Sequence, residues 1–103
     1  MKNIVIVDFG AGNLKSVYYK LRYFGYESII SNNPSIINRA DILVICGAGH
    51  FGSAMDYLEK YKLIGIIDRK VIKEKTPIIG ICLGMQLFGT FGEEGNKKGF
   101  GWI

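Results

Sequence analysis

Three apolar runs of strand length constrain the fold of this chain more than any other feature. They cover residues 4–7, 42–45 and 78–81, and each is a continuous series of Ile, Val, Leu or Gly. Continuous runs of this kind are typical of strands that are covered on both faces in a parallel sheet. Because apolar residues recur at helical spacing between the runs, strands and helices are predicted to alternate. We therefore predict an α/β fold of three layers, a mostly parallel sheet with helices on both faces.

The boundaries of the elements follow from the apolar pattern and from the turn residues that separate the runs. The strands after the first are predicted at residues 27–30, 42–46 and 77–81. Helices are predicted from Leu14 to a C-terminal Gly25, over residues 34–40, and over residues 53–75 with a break near 62–65. The end of the chain is predicted to hold a helix that fades at residues 89–92, a polar loop at 93–98 and a new strand from 99.

Cys82 follows the third apolar run and stands between Gly80 and Gly84. Glycines two residues before and after a nucleophile are typical of a strand–turn–helix elbow, which raises the reactive side chain above the strand end. At the N-terminus of the following helix, the dipole and the free N–H groups would favour the thiolate and stabilise an oxyanion. The same pattern also fits a buried cysteine at a junction where the glycines only permit close packing.

The composition of the chain restricts the classes of protein to which it can belong. With 103 residues, 49% of them hydrophobic, and a net charge of +4, we expect one small globular domain. The basic residues are scattered without aromatic interleaving, so we expect a solvated basic surface and no nucleic-acid partner. No run reaches membrane-spanning length, so no membrane association is predicted. The two cysteines lack metal-ligand spacing and no signal peptide is recognised, which favours reduced thiols, a cytoplasmic location and no metal site.

Residues that carry chemistry follow three of the predicted strands. Asp8, the segment 47–50 and Cys82 each come directly after an apolar run. Because ligands of parallel sheets bind beyond the carboxyl ends of the strands, we expect these loops to line one crevice. The small residues of Gly47-Ala48-Gly49 allow backbone to approach a ligand, and an N–H group there could face a carbonyl attacked by Cys82. Without that cysteine nearby, a tight turn before a helix would explain the segment equally well.

Three other features have weaker claims to a chemical role. His50 is the only histidine and could act as a base, but no carboxylate is placed to orient it, so a loop or helix-start role is the simpler interpretation. Asp8 would suit a phospho-acceptor only beside an acidic metal site, which Asp41 and Asp56 are badly placed to supply. The segment Gly10-Ala11-Gly12-Asn13 lacks the third glycine and the acidic partner of a dinucleotide fingerprint, so no cofactor is predicted.

Four segments occur together in the order that is found in one enzyme family. They are Gly80-Ile81-Cys82-Leu83-Gly84-Met85-Gln86-Leu87, Val7-Asp8-Phe9-Gly10-Ala11-Gly12-Asn13-Leu14, Gly47-Ala48-Gly49-His50-Phe51-Gly52, and Glu93-Glu94-Gly95 with Lys98-Gly99-Phe100-Gly101. Over its whole length the chain thereby resembles the class I, triad-type glutamine amidotransferases. Within that family it resembles the N-terminal half of the glutaminase subunits of imidazole glycerol phosphate synthase. The resemblance implies the flavodoxin-like sheet of this family.

The resemblance implies a catalytic or binding role for five residues. Cys82 matches the nucleophile that forms a glutamyl thioester from glutamine and releases ammonia. The N–H groups of Leu83 and Ala48 match the oxyanion hole, and Gly49 and Gln86 match positions that hold the glutamine. The substrate implied for this site is therefore glutamine.

The resemblance also implies a protein partner. In the family, ammonia passes to a cyclase or synthase subunit that is a (β/α)₈ barrel, and in histidine biosynthesis this partner makes imidazole glycerol phosphate. Gly10, Gly12 and Asn13 belong to a segment that resembles the loop lying toward the partner. Close relatives of these subunits supply ammonia for the amidation of a bacterial surface sugar, and the sequence does not distinguish the two acceptors.

Two departures from the family pattern affect these expectations. Cys46 stands where the family usually has a proline, which could alter the loop that follows. The family's chain is about twice as long, and its catalytic His and Glu lie in the half that is not matched here. We therefore expect residues 1–103 to be the N-terminal part of a single, truncated amidotransferase domain that is inactive alone. A half-domain that only binds a partner is the alternative.

Overall fold

The computed structural model of the chain describes residues 2–10, 14–47, 51–82, 87, 89, 91–92 and 97–102. Strands and helices alternate through most of this length. They are β1 (Ile4–Val7), α1 (Leu14–Tyr23), β2 (Ser28–Ser31), α2 (Pro34–Asn38), β3 (Ile42–Gly47), α3 (Phe51–Lys60), α4 (Ile64–Ile72), β4 (Ile78–Cys82), β5 (Phe91–Gly92) and β6 (Lys97–Lys98). None of the helices within these ranges is long and apolar enough to cross a membrane.

The first four strands form one sheet in the order β2-β1-β3-β4, and every neighbouring pair is parallel. The register places Ile6 opposite Val44, and Val44 opposite Ile79. Each parallel pair needs a crossover connection, which is why helices separate the strands in the chain. The structure confirms the predicted α/β fold with a parallel sheet.

Both faces of the sheet carry buried side chains, as the continuous apolar runs predict. One face is packed against α2, α3 and α4, and its larger core comprises Val5, Val7, Phe9, Ile37, Ala40, Leu43, Ile45, Ala54, Met55, Leu58, Leu63, Ile67 and Leu87. The other face is packed against α1, and its smaller core comprises Ile6, Leu14, Val44 and Cys46. Successive residues of β1 and β3 therefore point to opposite helical layers, and the three-layer prediction is confirmed.

The helix ends follow from local sequence. Gly25 has φ +90°, its N–H donates to the Arg22 carbonyl at 2.9 Å, and Tyr26 N–H donates to the Leu21 carbonyl at 2.9 Å. This is the Schellman arrangement, and it confirms Gly25 as the residue that ends α1. The break between α3 and α4 is of the same kind, with Lys62 at φ 60° and Leu63 N–H bonded to the Leu58 carbonyl. Helix α2 begins instead at a capping side chain, because Asn33 Oδ1 accepts a hydrogen bond from Ser35 N–H at 2.9 Å.

Two boundaries near loops differ from the predictions, and one predicted element is not tested. Helix α3 begins at Phe51, two residues before the predicted start. Residues 97–98, which were predicted as part of a polar loop, pair as an antiparallel strand with residues 91–92. The predicted helix after Cys82 falls largely on residues 83–86, 88 and 90, which lie outside the described residues.

The predicted strand from residue 99 is wrong, because residues 99–102 have no strand assignment. Backbone N–H groups of Phe100 and Gly101 donate instead to the carbonyls of Leu87 and Gly89, at 2.8 and 2.9 Å. The ring of Phe100 stacks on that of Trp102 with centroids 4.4 Å apart. Because the indole N–H of Trp102 also donates to Asp68 Oδ1 at 2.9 Å, these apolar residues are held by packing on α4 and not by a sheet.

Candidate functional site

The four strands of the sheet end at one common edge. Val7 pairs with Ser31 at the end of β1 and β2, and Gly47 pairs with Cys82 at the end of β3 and β4. The loops that leave these ends are those that carry the residues singled out from the sequence. A crevice beyond this edge is where parallel sheets bind their ligands.

Cys82 is the last residue of β4, and its backbone is level with Gly47, the first residue of the second glycine segment (residues 47–50). The structure thereby brings the start of the segment that is predicted to stabilise an oxyanion beside the predicted nucleophile. The other residues with predicted roles here are Leu83, Ala48, Gly49 and Gln86, and with His50 they lie outside the described residues. Their roles remain predictions.

Cys46, the residue before Gly47, is 2% exposed. It belongs to the smaller core with Ile6, Leu14 and Val44, on the face covered by α1. A cysteine in such a place behaves as a small apolar side chain. The loop that follows lies outside the residues that the structure describes.

The first glycine loop leaves β1 through a tightly bonded turn. Asp8 N–H donates to the Ser31 carbonyl at 2.9 Å, and Asp8 Oδ1 accepts a hydrogen bond from Gly10 N–H at 3.1 Å. Gly10 has φ +74°, a conformation that L side chains rarely adopt. Gly12 and Asn13, the other residues predicted to face a partner, lie outside the described residues. Within those that are described, no three His, Cys, Asp or Glu residues form a group that could hold a metal ion.

Two residues beside this loop were not found from the sequence. The ring of Tyr57, on α3, lies so close to Gly10 that a Cβ added there would be 3.1 Å from ring atoms Cδ2 and Cε2. The Tyr57 hydroxyl accepts a hydrogen bond from Asn32 Nδ2 at 3.0 Å. Asn32 lies in the sequence Ser31-Asn32-Asn33-Pro34, which by itself predicts only a turn, and Tyr57 occupies a helical position like any other aromatic residue. Tyr57 contacts both Asn32 and Gly10, which are distant from it in sequence, and a local sequence pattern does not predict such contacts.

The environment of Tyr57 also changes its acidity. The hydrogen bond from the Asn32 amide lowers the pKa of the Tyr57 phenol, but burial and the negative charge of Asp8 raise it, and Tyr61 raises it further. The net effect is a pKa above the usual 10.0. The phenol is therefore a neutral group that contributes a ring and a hydrogen-bonding hydroxyl to the loop.

Comparison with known proteins decides the family. The model of the class-I glutamine amidotransferase family matches residues 5–98. The chain belongs to this family. The match includes β1 from Val5 onward, the whole of β2, β3 and β4, and Cys82, so the family assignment and the observed architecture agree.

Within the amidotransferase family, the chain is similar to proteins that are named as subunits of one synthase. The chain is 44% identical over 97% of its length to a protein of Methanococcus maripaludis named imidazole glycerol phosphate synthase subunit HisH 2. It is 40% identical over 97% of its length to a Staphylococcus aureus protein named imidazole glycerol phosphate synthase subunit HisH. Each alignment covers 50% of the relative, so the chain spans about half the length of the curated relatives it matches.

Proposed function

We propose that the chain provides the nucleophile half of the glutaminase site of an imidazole glycerol phosphate synthase. The observation that carries the proposal is the pairing of Gly47 with Cys82 at the carboxyl edge of the sheet. This pairing supports a site in which a thiol and a neighbouring backbone segment act on one substrate. The relatives named as subunits of this synthase support glutamine as the substrate and histidine biosynthesis as the pathway.

In the proposed reaction, the thiolate of Cys82 attacks the side-chain carbonyl carbon of glutamine. A C–S bond forms and the carbonyl oxygen becomes an oxyanion, which the N–H groups of Leu83 and Ala48 stabilise while Gly49 and Gln86 hold the substrate. The C–N bond then breaks, a proton passes to the leaving nitrogen, and ammonia departs from a glutamyl thioester. Water hydrolyses the thioester to glutamate and regenerates the thiol.

The proposed site needs a general base, usually a histidine that a carboxylate orients. His50 is the only histidine of the chain, and it matches a non-catalytic position of the family pattern. We assign the histidine and glutamate of the triad to the half of the relatives that this chain does not match. Residues 1–103 are accordingly proposed to be the N-terminal part of a single domain and to hydrolyse no glutamine by themselves.

The proposed acceptor of the ammonia is a cyclase subunit of the (β/α)₈-barrel type. The segment that includes Gly10, Gly12 and Asn13 is proposed to face this subunit. Transfer within such a complex keeps ammonia from being protonated and lost to solvent. The bonded turn from Asp8 to Gly10 supports this assignment, because a surface that docks a partner is best held in one conformation.

The experiment measures ammonia release from glutamine by the chain alone and by the chain fused to the unmatched half of the Methanococcus maripaludis relative. Both are assayed with and without the barrel subunit of that synthase. We expect activity only in the fusion, increased by the barrel subunit, and lost by about a thousandfold or more in Cys82→Ser. Cys46→Ala is the matched control, because Cys46 is the other cysteine of the chain and its buried side chain belongs to the core on the α1 face of the sheet.

Three results would contradict the proposal in different ways. Activity that survives in Cys82→Ser would exclude this residue as the nucleophile. A fusion that delivers ammonia to a surface-sugar amidating partner and not to the barrel cyclase would retain the glutaminase and change the pathway. Activity of the 103-residue chain alone would show that the base lies within it, and His50 would be the residue to replace next.

A further inference from the structure

Gly10 is held in place by the two residues that precede it. Phe9 is 1% exposed and belongs to the larger core, so the backbone is anchored immediately before the glycine. The N–H group of Gly10 is bonded to Asp8 Oδ1, and its φ of +74° is a conformation that favours glycine. The backbone at Gly10 is therefore held by a buried side chain and by a hydrogen bond.

The ring of Tyr57, on helix α3, packs against Gly10. Ring atoms Cδ2 and Cε2 would both lie 3.1 Å from a Cβ at position 10, so the ring packs against the bare glycine backbone. The Tyr57 ring is itself held in place, because its centroid lies 4.5 Å from that of the Tyr61 ring and its hydroxyl accepts a hydrogen bond from Asn32. Such an aromatic ring, fixed at its face and at its polar end, is a rigid support for a neighbouring backbone.

Helix α3 supports more than this loop. It begins at Phe51, directly after the second glycine segment, and it carries Tyr57 fewer than two turns later. The residues before α3 belong to the proposed oxyanion segment, and the residue that its ring contacts begins the proposed partner-facing segment. One helix thus adjoins both glycine segments of the carboxyl edge.

We propose that Tyr57 is a positioning residue whose aromatic ring holds Gly10, the first residue of the proposed partner-facing segment, in the position that favours docking of that segment on the barrel subunit. This inference rests on the proposed function, since it assumes that the loop faces that partner. Tyr57 does not touch substrate and has no part in the chemical step. Its contribution is to keep the docking conformation populated before the partner arrives, which raises the apparent affinity by the same factor as the population.

The test measures binding of the barrel subunit by titration calorimetry, with the fusion to the unmatched half of the Methanococcus maripaludis relative as wild type. Tyr57→Leu removes the ring, Tyr57→Phe keeps the ring without its hydroxyl, and Tyr23→Leu changes a tyrosine that is 84% exposed at the end of α1. If the ring keeps the loop competent, we expect the dissociation constant to rise about tenfold in Tyr57→Leu and by less than about threefold in Tyr57→Phe. Tyr23→Leu should match the wild type, and kcat for glutamine at saturating barrel subunit should be unchanged in all three.

A spectroscopic readout tests the packing without the partner. The α protons of Gly10 should show a ring-current shift in the wild type and in Tyr57→Phe, and the shift should be absent in Tyr57→Leu. Binding of Tyr57→Leu within about twofold of the wild type overturns the docking role, and so does a loss in Tyr57→Phe as large as that in Tyr57→Leu. A wild type that fails to bind the barrel subunit overturns the proposed function itself, which separates the two failures.

Discussion

A Gly10→Ala substitution is expected to destabilise the chain by about 2 kcal/mol, in two parts of different origin. The φ of +74° is strained for any L side chain, at a cost of about 1 kcal/mol. The new Cβ would also lie 3.1 Å from two atoms of the Tyr57 ring, which must then move by a few tenths of an ångström. Because Tyr61 and Asn32 hold that ring, this overpacking adds about 1 kcal/mol.

The two parts can be separated by a double-mutant cycle in urea unfolding. In a Tyr57→Ala background the clash has no partner, so the cost of Gly10→Ala should fall to about 1 kcal/mol and leave a coupling of similar size. Gly25→Ala is the matched control, because Gly25 has φ +90° and nothing lies within 4 Å of its Cβ. Its cost should be the same in both backgrounds. If the cost of Gly10→Ala is the same in the wild type and in Tyr57→Ala to within about 0.5 kcal/mol, the proposed contact is refuted.

Three further predictions concern the stability of the chain. Because the pKa of Tyr57 is raised, the folded chain keeps a phenolic proton that the unfolded chain loses above pH 10.0. The free energy of unfolding should therefore fall as the pH rises above 10.0, and Tyr57→Phe should reduce this fall in urea titrations at high pH. Ser28→Ala should raise the free energy of unfolding by about 1 kcal/mol, because the buried Ser28 Oγ has no hydrogen-bond partner in the described part of the chain; a decrease would contradict this. Lys70→Met should lower it by about 2 kcal/mol, since Lys70 is 3% exposed and its Nζ donates to the Asn38 carbonyl at 2.8 Å. Glu74→Gln removes the ion pair of Lys70 and should cost about 0.5 kcal/mol or less, because the Glu74 carboxylate is half exposed. An equal loss in Lys70→Met and Glu74→Gln would exclude the hydrogen bond of Lys70 to the Asn38 carbonyl as the cause.

Most of the fold could be predicted because local and long-range preferences agree in it. Continuous apolar runs that are rich in β-branched residues favour strands that are buried on both faces, and a glycine such as Gly25 favours the end of a helix. The errors occur where the two disagree. Phe100 and Trp102 alternate like strand residues, yet stacking and the bond to Asp68 decide their conformation. The strands at 91–92 and 97–98 are two residues each, too short for an alternating pattern to be recognised.

The site was predictable to the extent that the topology determines it. In a parallel sheet every strand ends at the same edge, so the meeting of Gly47 and Cys82 follows once the strands are recognised. The contact of Tyr57 with Gly10 could not be inferred in this way. It depends on the rotation of α3 about its axis and on the length of the turn that carries Asn32, which only the packed structure determines.

The strand order β2-β1-β3-β4 has a consequence for the way in which the chain is made. Each of the other three strands pairs with one that was synthesised before it, since β2 and β3 both add to β1, and β4 adds to β3. These four strands can therefore pair in the order of their synthesis while the chain leaves the ribosome. The strand that ends at Cys82 is the last of the four, and it adds to β3 at the edge of a sheet whose other three strands are already paired.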